Sequence, residues 1–482
     1  MNLSNSLIRH FFYRHTSVVG NITCIFSRRA HQECVLTNDK KHPTKLSTLY
    51  IPGRYGADMY QIVRPVMDLD DLSQNIDALR HSCHFRDINV DLENLVDLLH
   101  RLETERNEFL TVVQKNRQYL EELKCLKSLD HAKEQYENLK MEHEEFLKQF
   151  KTLKEKLHDI EDVAFPIVQK IPNLIHPRTP LESDFTQNCV APAESNVTFC
   201  SHTEICNKMS LLKFSQSNKF YYASGILADL ELAIQNYFYR KLKDNGYAPM
   251  SCMDFCKSFL VEAVGLDPYS PDSSIPIKMD VEQGQKLHLV GGASFESFCA
   301  YLTNMNVSES TLPMRYFSLG RRYNARHKQT TSSDLFSVVQ STNFHCLTLC
   351  ENPSSEDEEF EALFKLISSC YIDFKIPFRV VDCSPKKLNL TENCRKQLEV
   401  WFAAQQAYIP VAYISGHGNF VSKRLHVTYG VQHAINGFCC MLEGVAVNIP
   451  VLLGCIVEHF QKSNGTFTFP DELAFLHDSL ED

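Results

Sequence analysis

The chain of 482 residues contains no window approaching the roughly 18 consecutive apolar positions that a membrane-crossing helix requires. Its longest apolar runs, such as Val451 to Val457, therefore read as buried helix or strand. Acidic residues are missing from the start: the first is Glu33, preceded by Arg9, Arg14, Arg28 and Arg29 among Ser, Phe, Leu and His. An acid-poor, arginine-bearing segment predicts a transit peptide over 1–45 and a place in the mitochondrial matrix. A disordered or cloning-related N-terminus is the plainer reading, and the lack of an uninterrupted apolar stretch speaks against a secretory signal. Close cysteine pairs are missing too. The 18 cysteines contain no CxxC, only looser spacings such as Cys252/Cys256 and Cys346/Cys350. Structural zinc needs four converging ligands, so no metal is expected, nor any other cofactor, and buried free thiols are the default in a reducing compartment. A basic excess is also lacking: the net charge of −10 gives no whole-protein attraction to nucleic acid, so RNA contact would need a local basic surface.

Glycine and proline are absent from Val66 to Phe165, which predicts helix throughout. Leu92, Leu95, Leu98, Leu99 and Leu102 recur at helical spacing, and Phe146, Phe150, Leu153, Leu157 and Ile160 alternate by four and three as an a/d seam. The pattern blurs at Lys127-Ser128-Leu129-Asp130, where Asp130 would cap a returning helix. The expected element is an antiparallel helical hairpin, ending at Pro166. Such a hairpin is either a coiled-coil dimerisation arm or a lever reaching a long partner. Lys124, Lys127, Lys133, Lys140, Lys148, Lys151 and Lys154 are candidates for phosphate contact if one face gathers them, although a solvated face explains mixed charge equally.

With 44% hydrophobic and 22% charged residues, the chain is globular and long enough for two or three domains. The expected divisions are the leader at 1–45, a helical arm domain at 46–165, a Pro- and Ser-containing linker at 166–205, and a larger domain at 206–482. Strand-like pieces at Phe378–Val381 and Leu425–Tyr429 lie among helices, which suits an α+β sheet domain. Leu227, Leu230, Ile234, Phe238 and Leu242 mark a helix with one apolar face, as any core helix would.

Several phrases, in order along the chain, resemble the seryl-tRNA synthetases. They are Ile171-Pro172-Asn173-Leu174-Ile175-His176-Pro177 after the hairpin, Phe220 to Ile234, Asn245 to Met250, Val261 to Gly265, Leu312-Pro313-Met314-Arg315-Tyr316, Pro377 to Val381, Glu399-Val400-Trp401, Lys423-Arg424-Leu425, Asn448 to Gln461, and Asn464 to Pro470. The resemblance spans about residues 66 to 475. It implies a class II aminoacyl-tRNA synthetase-like antiparallel sheet domain flanked by helices. It also implies an arm that recognises serine tRNA by shape and backbone, and a dimer interface on the helix carrying Gly225, Leu227, Leu230, Ile234 and Phe238.

The same resemblance exposes departures where serine activation needs cations on a triphosphate and acids for magnesium and the serine amine. Val451 stands at the place of the family's ATP-holding arginine, and a valine offers neither donor nor charge. Asn324 replaces a glutamate two residues after the retained Arg322. Ser337 to Ser341, with Asn343 and His345, occupy the place of an arginine, an aromatic and a carboxylate. In the serine pocket Ser294-Phe295-Glu296 keeps a Thr-x-Glu-like element, whereas Pro410 and Gly416-His417-Gly418 replace the next strand's glutamate and Ser/Asn cluster; Glu458 is also retained. Removing one preorganised transition-state donor costs about two to three powers of ten in rate. The expectation is therefore a non-catalytic protein of the matrix that binds serine tRNA. It is expected as a homodimer or as a heterodimer with the mitochondrial seryl-tRNA synthetase; the alternatives are a structural heterodimer partner supporting that genuine synthetase, and a diverged active ligase.

Overall fold

The structure, a computed structural model, describes residues 47–50, 63, 65–66, 69–127, 133–192, 199–215, 220–273, 275–277, 286–325, 333–431 and 435–473. The expected leader at 1–45 lies outside the described residues.

Two short helices, α1 (Leu69–Gln74) and α2 (Ile76–Phe85), precede the arm, which is formed by α3 (Leu92–Lys127) and α4 (Lys133–Val168). Each arm helix has 36 residues, a length of about 54 Å. The predicted seam is the contact: Leu95, Leu99, Leu102, Leu153, Leu157 and Ile160 are all buried. Phe109 stacks on Phe150 with centroids 5.1 Å apart. Seven residues further along α3 and seven back along α4, Asn116 Oδ1 lies 2.7 Å from His143 Nε2, so the antiparallel register holds over a heptad. The expected tip around Ser128–Asp130 lies outside the described residues, as do the side chains of Lys127 and Lys133. Pro166 does not end α4, which runs two residues further. A proline in the last turn costs little where the helix is about to stop, and Gln169 N still donates to Phe165 O at 2.9 Å.

The larger domain is built on an eight-stranded sheet in the order β1 (Phe185–Val190), β11 (Phe378–Asp382), β12 (Cys394–Phe402), β13 (Ala407–Gly418), β16 (Cys440–Asn448), β10 (Gln340–Cys350), β9 (Met314–Tyr323) and β4 (Ala248–Pro249). All pairs are antiparallel except the short β4/β9 edge. Small ribbons flank it: β2 (Leu212–Phe214) with β3 (Tyr221–Ala223), β5 (Phe255–Lys257) with β7 (Leu287–Leu289) and β6 (Ile275–Ile277), and β8 (Asn306–Ser308) with β14 (Thr428–Gly430) and β15 (Gly437–Phe438). The piece Phe378–Val381 is strand as expected. Leu425 is not: it closes a helix, and His426 at φ 57 breaks the chain direction before β14 begins.

Strand alternation divides the core into two layers. Phe344 and Cys346 of β10 join one apolar cluster with the helices α5 (His202–Lys208), α6 (Ile226–Asp244), α9 (Pro353–Asp373) and α11 (Ile449–His459). Leu347 and Leu349 join another with α7 (Ser258–Ala263), α8 (Phe295–Leu302) and α10 (Phe420–Leu425). α9 begins where Asn352 caps Ser355 N at 3.0 Å ahead of Pro353, a pairing of cap and first-turn proline that satisfies orphan amides.

The face of α6 predicted for subunit contact is the core face. Leu227, Leu230 and Ile234 are 0% exposed and Phe238 1%, packed in the chain's own cluster with Phe344 and Tyr371. A side chain already covered by its own sheet has no surface left for a partner. The outward apolar groups here are Leu232, 48% exposed, with Tyr222 and Leu319 beside the helix start and on β9, and Gly225 is exposed.

Candidate functional site

Period-two alternation places Arg322 of β9, Asn343 and His345 of β10, Glu443 of β16, Tyr413 and Ser415 of β13, and Arg395 of β12 on one face. The loop before α8 borders this face. Gly291, at φ +92, lets it pass the β9 backbone so closely that a Cβ would fall 2.0 Å from the Arg321 carbonyl oxygen. Ala293 N then donates to Arg321 O at 3.1 Å, which sets Glu296, in the first turn of α8, near Arg322.

The arginines on this face are partnered by groups of the same chain. Arg322 Nη1 donates to the Tyr413 hydroxyl at 3.0 Å, and among the described residues no carboxylate lies within ion-pair distance of it. Burial pushes the Tyr413 phenol up to about 12, so the partner is a neutral hydroxyl at physiological pH. Arg395 also lies over the Tyr413 ring, 4.7 Å from its centroid, and donates to Glu392 and, at 3.2 Å, to Ser415 Oγ. Glu392 is fully buried, and Ser415 Oγ donates to it at 3.0 Å.

Beneath them lies a second ionisable group. Glu443 Oε2 is 2.8 Å from His345 Nε2, and Oε1 is 3.8 Å from His417 Nε2, with all three residues buried. The His345 approach misses ideal hydrogen-bond alignment and is a close polar contact. Burial opposes ionisation of Glu443, but His345 and His417 outweigh it and hold the carboxyl well below the usual carboxylate range. His417 stacks on Phe295 at 4.7 Å, and its amide and that of Gly418 both donate to Glu356 at 3.0 Å.

The remaining predicted positions scatter. Asn324 is exposed just past β9. Ser337 is buried and donates to Asp334 O at 3.3 Å. Pro410 pairs with Glu399, whose carboxylate is held by Arg379 at 2.7 Å. Val451 is 2% exposed in the apolar cluster of α11. Glu458 is a clasp rather than a site remnant: it accepts from His202 N and Ala404 N, both at 3.1 Å, tying α5 and the β12–β13 turn to α11. Tyr413, Arg395, Glu392 and Glu443 were missed, although alternation along 407–418 already sets Tyr413 beside Ser415. A cleft of about 250 Å³ opens elsewhere, beside the first turn of α6, lined by Tyr221, Glu231, Arg321 and Gln340.

On the arm, Lys124, Lys140, Lys148, Lys151 and Lys154 are all exposed. At 3.6 residues per turn, the four on α4 fall within an arc of about 120°, but Glu137, Glu144 and Glu155 share it. Lys140 approaches Glu137 at 3.7 Å, and Lys151 approaches Glu155 at 3.9 Å, both as solvated pairs.

A long two-helix arm before an antiparallel sheet with a polar, arginine-bearing face is the architecture of a class II tRNA synthetase. Residues 281–460 match the family described as the tRNA synthetase class II core domain (G, H, P, S and T), and over most of its length the chain is similar to seryl-tRNA synthetases. It is 26% identical over 444 residues to the serine–tRNA synthetase-like protein Slimp of Drosophila melanogaster, covering 90% of this chain and 93% of that protein. It is also 26% identical over 434 residues to the serine–tRNA ligase of Borreliella burgdorferi, covering 85% and 97%. The fold matches the cytoplasmic serine–tRNA ligase of Naegleria fowleri, solved with AMP, at a TM-score of 0.71 and 18% identity over 86% of this chain and 98% of that one.

Proposed function

We propose that this chain is a seryl-tRNA synthetase-like protein of the mitochondrial matrix that binds tRNA, serine tRNA foremost, and does not activate serine. The observation that carries the reading is the state of Arg322. One of its donors, Nη1, is taken by the Tyr413 hydroxyl and is lost to an anion while that bond holds. Val451 adds to this, since an apolar side chain packed in the core supplies no second cation. The arm needs neither, because recognition of an RNA backbone works through shape and exposed charge.

Serine-dependent ATP–pyrophosphate exchange tests the loss, with a bacterial seryl-tRNA synthetase as reference; signal above background from the purified chain would restore the ligase reading. Val451→Arg alone is expected to leave exchange at background, because it changes neither Tyr413 nor Asn324. Filter binding to mitochondrial serine tRNA is expected to weaken with rising salt as counterion release is lost. Absence of binding at low salt would end the RNA reading.

A second reading, pairing with the genuine mitochondrial seryl-tRNA synthetase or with a second copy, is favoured by the exposed Tyr222, Leu232 and Leu319 beside α6. Native mass measurement after co-expression separates the two assemblies.

A further inference from the structure

The segment Ser47–Tyr50 is bound at the foot of the arm by contacts that fall on two separate elements. Glu262 of α7 receives three donors on one carboxylate oxygen: Thr48 N and Thr48 Oγ1 at 2.6 Å and Leu49 N at 2.9 Å. Leu49 and Val63 are buried in the cluster of α7, α8 and α10, at 2% and 3% exposure. Tyr50 turns the other way. Its ring stacks on Phe165 of α4 with centroids 4.0 Å apart and planes 18° from parallel, and its hydroxyl donates to Asp162 Oδ1 at 3.0 Å.

Glu262 is also the hub for a second tie. Its backbone carbonyl accepts from Arg424 Nη1 at 3.1 Å, and Arg424 Nη2 donates at 3.0 Å to the carbonyl of Gln169, just past the end of α4. One residue of the sheet domain thus holds the arm foot from two directions, through the strap by its side chain and through Arg424 by its backbone.

We infer that the Ser47–Tyr50 strap is a positioning device that fixes the angle of the arm on the sheet domain, with Tyr50 as the pin between them. Without it, the arm foot would keep the Arg424 tie, the short loop at 169–171 and the Arg86 bonds to the carbonyls of Asn389 and Glu392 at 2.7 and 2.6 Å, but α4 would lose an aromatic stack and a charge-assisted hydrogen bond on its last turns. The stack of Phe109 on Phe150 lies further out and does not involve the strap, whereas the leucine seam reaches down to the foot beside it. The RNA consequence rests on the reading proposed above: an arm held at one angle presents its lysines to a long RNA without first being ordered, and an arm free to swing pays that ordering on binding.

The test uses the full chain with Tyr50→Ala and Tyr50→Phe, read by hydrogen exchange and by binding to mitochondrial serine tRNA. Tyr50→Ala is expected to speed exchange of amides in 157–168 by about tenfold while 340–350 in the central sheet stays protected. It is expected to weaken RNA binding by a similar factor with the salt slope unchanged, because no phosphate contact is removed. Tyr50→Phe keeps the stack and is expected to shift both readouts in the same direction by less; it gives the answer if the alanine variant fails to fold. Unchanged exchange at 157–168 in a folded variant would overturn the strap. If the unaltered chain binds no tRNA, the functional reading fails, while the exchange measurement still decides whether the strap holds the arm.

Discussion

The arm and the polar face of the sheet carry charge in opposite ways. On the arm, lysines and glutamates point into water, and their pairs, such as Lys151 with Glu155 at 3.9 Å, are loose enough to break for a partner. On the sheet, Arg395, Glu392, Glu443 and His345 are turned toward one another, and Arg322 toward Tyr413. Charges open to solvent remain available for binding. Charges closed on each other have become part of what holds the domain together.

The sharpest way to break this contrast is Arg395→Met. If the polar face is structural, removing Arg395 leaves Glu392 buried without its cation, and chemical denaturation should show a loss of about 3–5 kcal/mol. A loss below about 1 kcal/mol would mean that the face is still a site rather than a support.

The next effect is in acid. The folded-state pKa of Glu443 lies below its unfolded value of about 4.3, so its contribution is full above that pH and is lost as pH falls further. Calorimetry from about pH 7 to pH 3 should show a steeper decline in Tm for the natural chain than for Glu443→Gln, which has no proton to take up. Parallel curves would show that His345 and His417 do not stabilise the charge.

On the arm, Lys148→Glu, Lys151→Glu and Lys154→Glu together should leave Tm nearly unchanged and reduce RNA affinity. The salt slope should flatten by roughly 0.9 for each phosphate contact removed. An unchanged slope would move the RNA surface off this face of α4. The smallest effect belongs to Arg117→Ala, whose pair with Glu121 at 3.0 Å is more than half exposed on both sides; about 0.5 kcal/mol or less is expected by thermal unfolding.

What was legible in the sequence follows from range. The arm was legible because its determinants are local: leucines every three or four residues and an absence of glycine and proline dictate helix wherever the chain goes. The polar face was half legible. Arg322, His345 and Val451 were found by position along the chain, but Tyr413 meets Arg322 only through the register of β9, β10, β16 and β13, which no local pattern encodes. The α6 face was misassigned for a different reason. Leu227, Leu230, Ile234 and Phe238 carry the same period whether a helix packs on its own sheet or on a neighbour, and only the covering by Phe344 and Tyr371 separates the two. Glu458 was read as a remnant because it sits in the phrase Asn448 to Gln461 that resembles the family, yet a buried acid that accepts two backbone amides is equally a fastening.

The length of α3 and α4 makes the foot of the hairpin a fulcrum. A rod of about 54 Å that rocks through about 10° sweeps its far end by roughly 9 Å, more than the spacing between successive phosphates along an RNA strand. A displacement of a few tenths of an ångström at Tyr50 and Phe165 would therefore be amplified at the distal turns of the coiled pair, far from any residue that had changed.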